Sequence, residues 1–141
     1  MEDKLLKEYL NKGSLKKRSP DTNRANSLIK AAEITAKATL KVPLYKENTI
    51  MIFRELYETL RQLGDAKLWK LGYEARQHEP SIRILMDAKI KDKIALNRLD
   101  RFRIIRNDAN YRGNQITLDQ VKEILDFWKN YGKELIEWVK S

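Results

Sequence analysis

Apolar residues recur every three or four positions along almost the whole chain, the periodicity of helices that bury one face. Leu5, Leu6, Tyr9 and Leu10 predict a short helix over residues 2–11, stopped by Gly13. Ala25, Leu28, Ile29, Ala32, Ala36 and Leu40 define one face of an alanine-rich helix over 22–41, with Asp21 or Thr22 as its N-cap and Pro43 closing it. Ile50, Ile52, Phe53, Leu56, Leu60, Leu63, Leu68, Trp69 and Leu71 predict a long core helix over 48–71, with a kink near Gly64-Asp65. A turn at Gly72 leads to a shorter helix that starts around Pro80, carries Ile82, Ile84 and Leu85, and ends near Lys91. A fifth helix is expected from Asp92 to Arg112, stopped by Gly113-Asn114. A cap segment at Thr117 to Gln120 then opens a last amphipathic helix through Val121, Ile124, Leu125, Trp128, Leu135, Ile136 and Val139.

No alternation of period two survives beyond a few residues, so the expected fold is all-α, an antiparallel up-and-down bundle of four to five main helices with short connections. Residues 1–20 would form a short helix and a basic loop, and residues 21–141 the bundle, together one domain. The segment Gly13 to Asp21, GSLKKRSPD, has two readings: a solvated linker, or a loop that touches nucleic acid. Trp69, Trp128, Trp138, Tyr45, Tyr57, Phe127 and Tyr131 recur at helical spacing and are expected to anchor the core or a dimer interface.

Composition narrows the chemistry. The 141 residues contain no cysteine, which removes disulfides, thiolate nucleophiles and cysteine-based metal sites. A single histidine, His78, excludes a two-histidine metal site within one chain, and no metal or cofactor is expected. Glycine-rich phosphate loops, nucleophile elbows and zinc spacings are also absent. No uncharged run exceeds six residues, so no membrane span is expected, and the charged start MEDKLLKEYL points to a cytoplasmic address. The net charge of +9 favours polyanionic partners. It is uneven: residues 1–46 carry +6, residues 47–90 balance, and residues 91–141 carry +3.

Pattern and chemistry disagree in the fifth helix. Ala95, Leu96, Leu99 and Phe102 share a face, and extending it toward the C-terminus brings Arg103, Arg106 and Asn110 into the same sector. Asn107 and Tyr111 flank it. An arginine facing a bundle is costly unless paired, so Arg106 either meets a carboxylate from another helix, with Glu55, Glu58 and Glu79 as candidates, or faces a cleft for an anion. Five arginines on this helix (Arg98, Arg101, Arg103, Arg106 and Arg112) could track a phosphate backbone or form an exposed face balanced by Asp100 and Asp108.

The run Arg103-Ile-Ile-Arg106-Asn107-Asp108-Ala109-Asn110-Tyr111-Arg112-Gly113, late in a small all-α chain, resembles the signature of the HEPN family: an arginine, a polar residue, and a histidine four to six positions after the arginine. Gly72-Tyr73 followed by His78-Glu79 is similar to a segment of small archaeal members, many of which carry Arg-Asn-x-x-x-Tyr. The resemblance spans roughly residues 22–139. It implies a helical homodimer whose motif helices line a shared cleft. It also implies RNA or nucleotide binding, or metal-independent endoribonuclease activity of the kind found in toxins paired with minimal nucleotidyltransferases. Arg106 and Asn107 match the Arg-polar pair, and Tyr111 stands where the histidine would be. Tyrosine, with an ordinary pKa of about 10, is poorly suited to moving protons at neutral pH. The resemblance therefore implies binding first and cleavage second. Arg103, Arg106, Asn107, Asn110 and Arg112 would contact phosphate or RNA, and Arg106, Tyr111 and His78 would serve catalysis. His78 would join them only if the turn after Gly72 folds over the motif helix. The alternative is a non-catalytic interaction protein, partner to a nucleotidyltransferase, in which the Arg-Asn cluster only knits helices together.

Overall fold

A computed structural model describes all 141 residues, and it is an all-α bundle with one small β-ribbon. The helices are α1 (Asp3–Lys12), α2 (Thr22–Leu40), α3 (Thr49–Leu71), α4 (His78–Leu85), α5 (Arg98–Arg112) and α6 (Leu118–Lys140). Helix α3 is the axis of the fold, packed by α2, α4, α5 and α6. The main core gathers Phe53, Leu56, Tyr57 and Leu60 of α3 with Leu99 and Phe102 of α5 and Val121, Ile124 and Phe127 of α6. A chain of aromatic edges joins three helices through it: Phe53 to Phe102 at 6.1 Å, Phe102 to Phe127 at 5.5 Å and Phe127 to Tyr131 at 5.3 Å between ring centroids. A satellite core of Tyr9, Leu15, Leu68 and Ile84 seats α1 against α3 and α4.

Caps follow the sequence signals. Asp21 accepts from the Arg24 amide at 2.9 Å at the head of α2. Thr117 and Gln120 form a reciprocal capping box that opens α6.

Four expectations need correction. The segment expected as a basic loop holds a strand, β1 (Leu15–Lys17), paired antiparallel with β2 (Tyr73–Ala75), Leu15 opposite Ala75 and Lys17 opposite Tyr73. The ribbon forms because Leu15 is buried in the satellite core and Gly72 reverses the chain at the end of α3 with φ of 92°, leaving its carbonyl to accept from the Arg18 amide. Three residues per strand are too few to show period two in the sequence. Helix α3 is unbroken through Gly64, because this glycine serves packing: a Cβ there would stand 1.9 Å from the Ser81 carbonyl oxygen of α4. Helix α4 ends at Leu85, and α5 starts only at Arg98, after a 3₁₀ turn at Ile94–Asn97. Asp92 explains the late start, since its carboxylate accepts from the Ala95 amide at 3.2 Å and from the Tyr131 hydroxyl at 2.8 Å, fastening the connection to α6. At the ends of α2 and α3, Leu40, Ile50 and Leu71 are exposed although the periodicity placed them inward.

No helix is long and apolar enough to cross a membrane.

Candidate functional site

The site forms where α4 begins beside the polar half of α5. Phe102 is fully buried and fixes the rotation of α5, so Arg106, one turn later, emerges where the apolar core ends. Helix α4 is held against α3 by the close approach at Gly64 and by the Ser81 hydroxyl, which donates to the Asp65 carboxylate. Asp65 also accepts from Arg61 at 2.6 Å, and Arg61 in turn grips Glu58, with its Nε 2.9 Å from that carboxylate. This polar strap across α3 fixes the first turn of α4, and with it His78 and Glu79. Burial raises the pKa of Asp65, and its hydrogen bond from Ser81 and the charge of Arg61 oppose that rise.

A cavity of about 490 Å³ opens between these elements, lined by Arg76, Gln77, His78, Glu79, Arg103, Arg106, Asn107 and Tyr111. Its walls carry three guanidiniums and one carboxylate. Arg103 is committed, with its guanidinium 2.9 Å from Asp100 and 3.9 Å from Glu79. Arg106 is not: it joins none of the ion pairs in the chain, and Glu55, Glu58 and Glu79 all lie elsewhere or bind other arginines. Its guanidinium lies over the Tyr57 ring, 5.7 Å from the centroid. The Asn110 side chain stands between Arg106 and Arg54, and with its oxygen toward Arg106 it accepts two bonds, at 3.0 and 3.2 Å. Arg106 is thus held in place by neutral groups, with no carboxylate paired to it. Of the two readings open in the sequence, the chain forms no ion pair at this position.

His78 shares the cavity, its ring 6.1 Å from that of Tyr57. Burial, followed by the positive charges of Arg106 and Arg61, lowers its pKa against the weaker pull of Glu58. The imidazole is therefore neutral at pH 7, a form that accepts a proton. Behind both residues the hydroxyl of Tyr57 is buried without a hydrogen-bond partner, and burial pushes its pKa up to about 12.

Five of the residues singled out from sequence meet in one place: His78, Arg103, Arg106, Asn107 and Tyr111. Tyr111 stands at the rim, 81% exposed, where a planar ring could stack. Two do not join the lining. Asn110 sits behind Arg106 as a support, and Arg112 points outward, 76% exposed and 3.9 Å from Asp108. Arg112 lies past the last turn in which α5 is packed, so helical phase alone could not assign it to a site. Arg101 bonds to Glu123 of α6 at 2.9 Å and fastens two helices.

The sequence does not single out Arg76, and it marks Tyr57 only as a core or interface anchor. Arg76 reaches the cavity because β2 delivers it there directly before α4, and Tyr57 is indistinguishable in the sequence from other core aromatics. No three of the chain's histidine, aspartate and glutamate side chains converge in a set that could hold a metal ion.

No family model matches the sequence, and no curated protein or solved structure is significantly similar to it.

Proposed function

We propose that this protein binds RNA or nucleotide phosphates in the cavity between α4 and α5, with Arg106 as the principal anion ligand. One observation carries the reading: a half-buried guanidinium without a carboxylate partner faces the same cavity as the chain's only histidine. A phosphate there would gain charge-assisted bonds from Arg106, with Asn107 as a further donor and with Arg76, which pairs with Glu74 at 3.5 Å, at the edge of the cavity. The neutral His78 is suited to take the proton from a 2′-hydroxyl while Arg106 balances charge on the phosphorus centre, which makes metal-independent cleavage the second function of the site. In this proposal His78 supplies from another helix what Tyr111 cannot supply from the motif, and Tyr111 stacks on a base. The similarity of the α5 sequence to HEPN signatures agrees with this reading. The homodimer it implies would cover the apolar surface of α5 beside the cavity, where Ile104 and Tyr111 are exposed.

A second reading rests on the other contacts of Arg106. Stacked on Tyr57 of α3 and bonded to Asn110, it ties two helices together, as it would in a purely structural interaction protein docking a nucleotidyltransferase.

Purified protein incubated without metal with a mixed pool of structured RNA separates the two, with binding followed on the same samples. Arg106→Ala should abolish binding and any cleavage with helical content intact, and His78→Gln should abolish cleavage while sparing binding. Unfolding of Arg106→Ala, together with no RNA binding by the native protein, would support the structural reading instead.

A further inference from the structure

Tyr57 is 1% exposed, and its hydroxyl is one of two buried side-chain polar atoms in the chain that meet no hydrogen-bond partner, Oε1 of Gln62 being the other. Phenylalanine would fill the same place in the core without leaving a polar atom unmet, so packing gives no reason for the hydroxyl. Its surroundings give one. Two side chains lie against the Tyr57 ring: His78, with ring centroids 6.1 Å apart, and Arg106, with its guanidinium 5.7 Å from the centroid. Both are half-buried and both line the cavity between α4 and α5, whereas Tyr57 does not, so it stands one side chain behind the cavity wall.

What the hydroxyl lacks is an acceptor. Burial pushes its pKa up to about 12, so it keeps its proton at neutral pH and has a bond to donate. The charges that act on it are those of Arg106 first, then Arg103 and Arg61, against the single carboxylate of Glu58. A guanidinium has only donors, and Arg61 already binds both oxygens of Glu58. Three cations around one unspent donor make an anionic oxygen the group that suits this place.

We infer that the Tyr57 hydroxyl is a second ligand of the phosphate held at Arg106, donating to an anionic oxygen that enters between Arg106 and His78. The inference rests on the phosphate reading above and deepens it, because the anion is drawn into the cavity wall, where water competes least. A change of side-chain rotamer at His78 or Arg106, with no helix moving, is all that the entry requires. Arg106 supplies the charge and Tyr57 a second direction, so the site favours an anion with several oxygens over a simple counter-ion. The hydroxyl is then a group whose bond is made only in the complex, and its cost to the free protein is the counterpart of that bond.

Calorimetric titration at constant salt tests it, with pyrophosphate in one arm and a short single-stranded RNA without terminal phosphates in the other. Tyr57→Phe keeps the ring against Arg106 and should melt no lower than the native protein, yet bind about tenfold more weakly, the loss expected for one hydrogen bond to a charged acceptor. Weaker binding joined to undiminished stability is a combination that a merely structural tyrosine would not give. A loss with pyrophosphate alone assigns the hydroxyl to a terminal phosphate and a loss with the RNA assigns it to the backbone, and either result upholds the inference. If Tyr57→Phe stays within about twofold of the native protein in both arms while Arg106→Ala abolishes binding, the role of Tyr57 alone is overturned. If the native protein binds neither probe, or Arg106→Ala leaves binding intact, the phosphate reading falls and the inference with it.

Discussion

The guanidinium of Arg106 lies 5.7 Å from the centroid of the Tyr57 ring, across the interface of α5 and α3. The ring does two things for the cation: its face attracts the charge, and its bulk keeps the guanidinium from sinking into the core, where an unpaired charge would be costly. The Tyr57 hydroxyl contributes to neither. It is buried with no partner. Tyr57→Phe should therefore leave Arg106 in place and raise stability by up to about 1 kcal/mol, through loss of an unsatisfied buried polar atom. Tyr57→Ala should cost about 3–5 kcal/mol and, under the proposed function, weaken phosphate binding as well. Urea denaturation of both variants checks this, and a clear loss of stability in Tyr57→Phe would mean that the hydroxyl has a partner after all.

Gly64 admits α4 against α3. A Cβ at this position would lie 1.9 Å from the Ser81 carbonyl oxygen, 2.6 Å from its carbonyl carbon and 2.9 Å from its Cα, all of them backbone atoms that move only with the whole helix. Gly64→Ala gains about 1 kcal/mol in helix propensity and should still lose about 3 kcal/mol net, displacing His78 from the cavity. The contrast is Gly132→Ala in α6, where the nearest atoms belong to the Trp128 side chain, at 2.8 Å, and a ring can tilt aside. Its cost should be smaller, and thermal melts of the two variants should rank them in that order.

His78 makes stability depend on pH in a definite sense. Its folded-state pKa lies below the ordinary value of 6.5, lowered by burial and then by Arg106 and Arg61, so on acidification the unfolded chain takes up this proton before the folded one. Its contribution to stability is present above pH 6.5 and declines as pH falls from there toward the depressed folded value. Denaturation midpoints measured from pH 7.5 down to 5.5 should fall more steeply for the native protein than for His78→Gln. Parallel profiles would show that His78 is solvated. Any RNA cleavage that uses His78 as the base should be flat near pH 7 and decline below it.

Tyr131 and Asp92 should govern the connection before α5. With the hydroxyl bond at 2.8 Å gone, Tyr131→Phe should speed hydrogen exchange at the Ala95 amide, which Asp92 holds at 3.2 Å, and leave α3 and α6 protected. Exchange unchanged at Ala95 would mean that the backbone alone holds the 3₁₀ turn.

How much of this was legible in advance varied with the length of the elements. Helices α2, α3 and α6 run for 19, 23 and 23 residues, long enough for a repeat of 3.6 to declare itself, and their caps at Asp21 and Thr117 were readable. The stretch from Met86 to Asn97 reads as helix in sequence because its buried residues Ala88, Ile90, Ala95 and Leu96 imitate a helical face, and an acid that caps a 3₁₀ turn looks the same in sequence as one that starts an α-helix. The gathering of Arg103, Arg106 and Asn107 was legible because these residues lie on one helix, where spacing sets direction. That His78 joins them was not legible, because it depends on how α4 sits on α3.

Residue order alone determined the helical class of this protein, its basic surplus, its lack of thiols and the arginine-rich sector at the end of α5, since each follows from composition or from contacts within one helix. Tertiary structure decided the rest: that Arg106 meets Tyr57 and no carboxylate, and that β2 and α4 bring Arg76 and His78 to the same cavity. These are meetings between separate segments, residues 57 and 106 being 49 positions apart, and such contacts arise from the packing of several faces at once, which no local periodicity records.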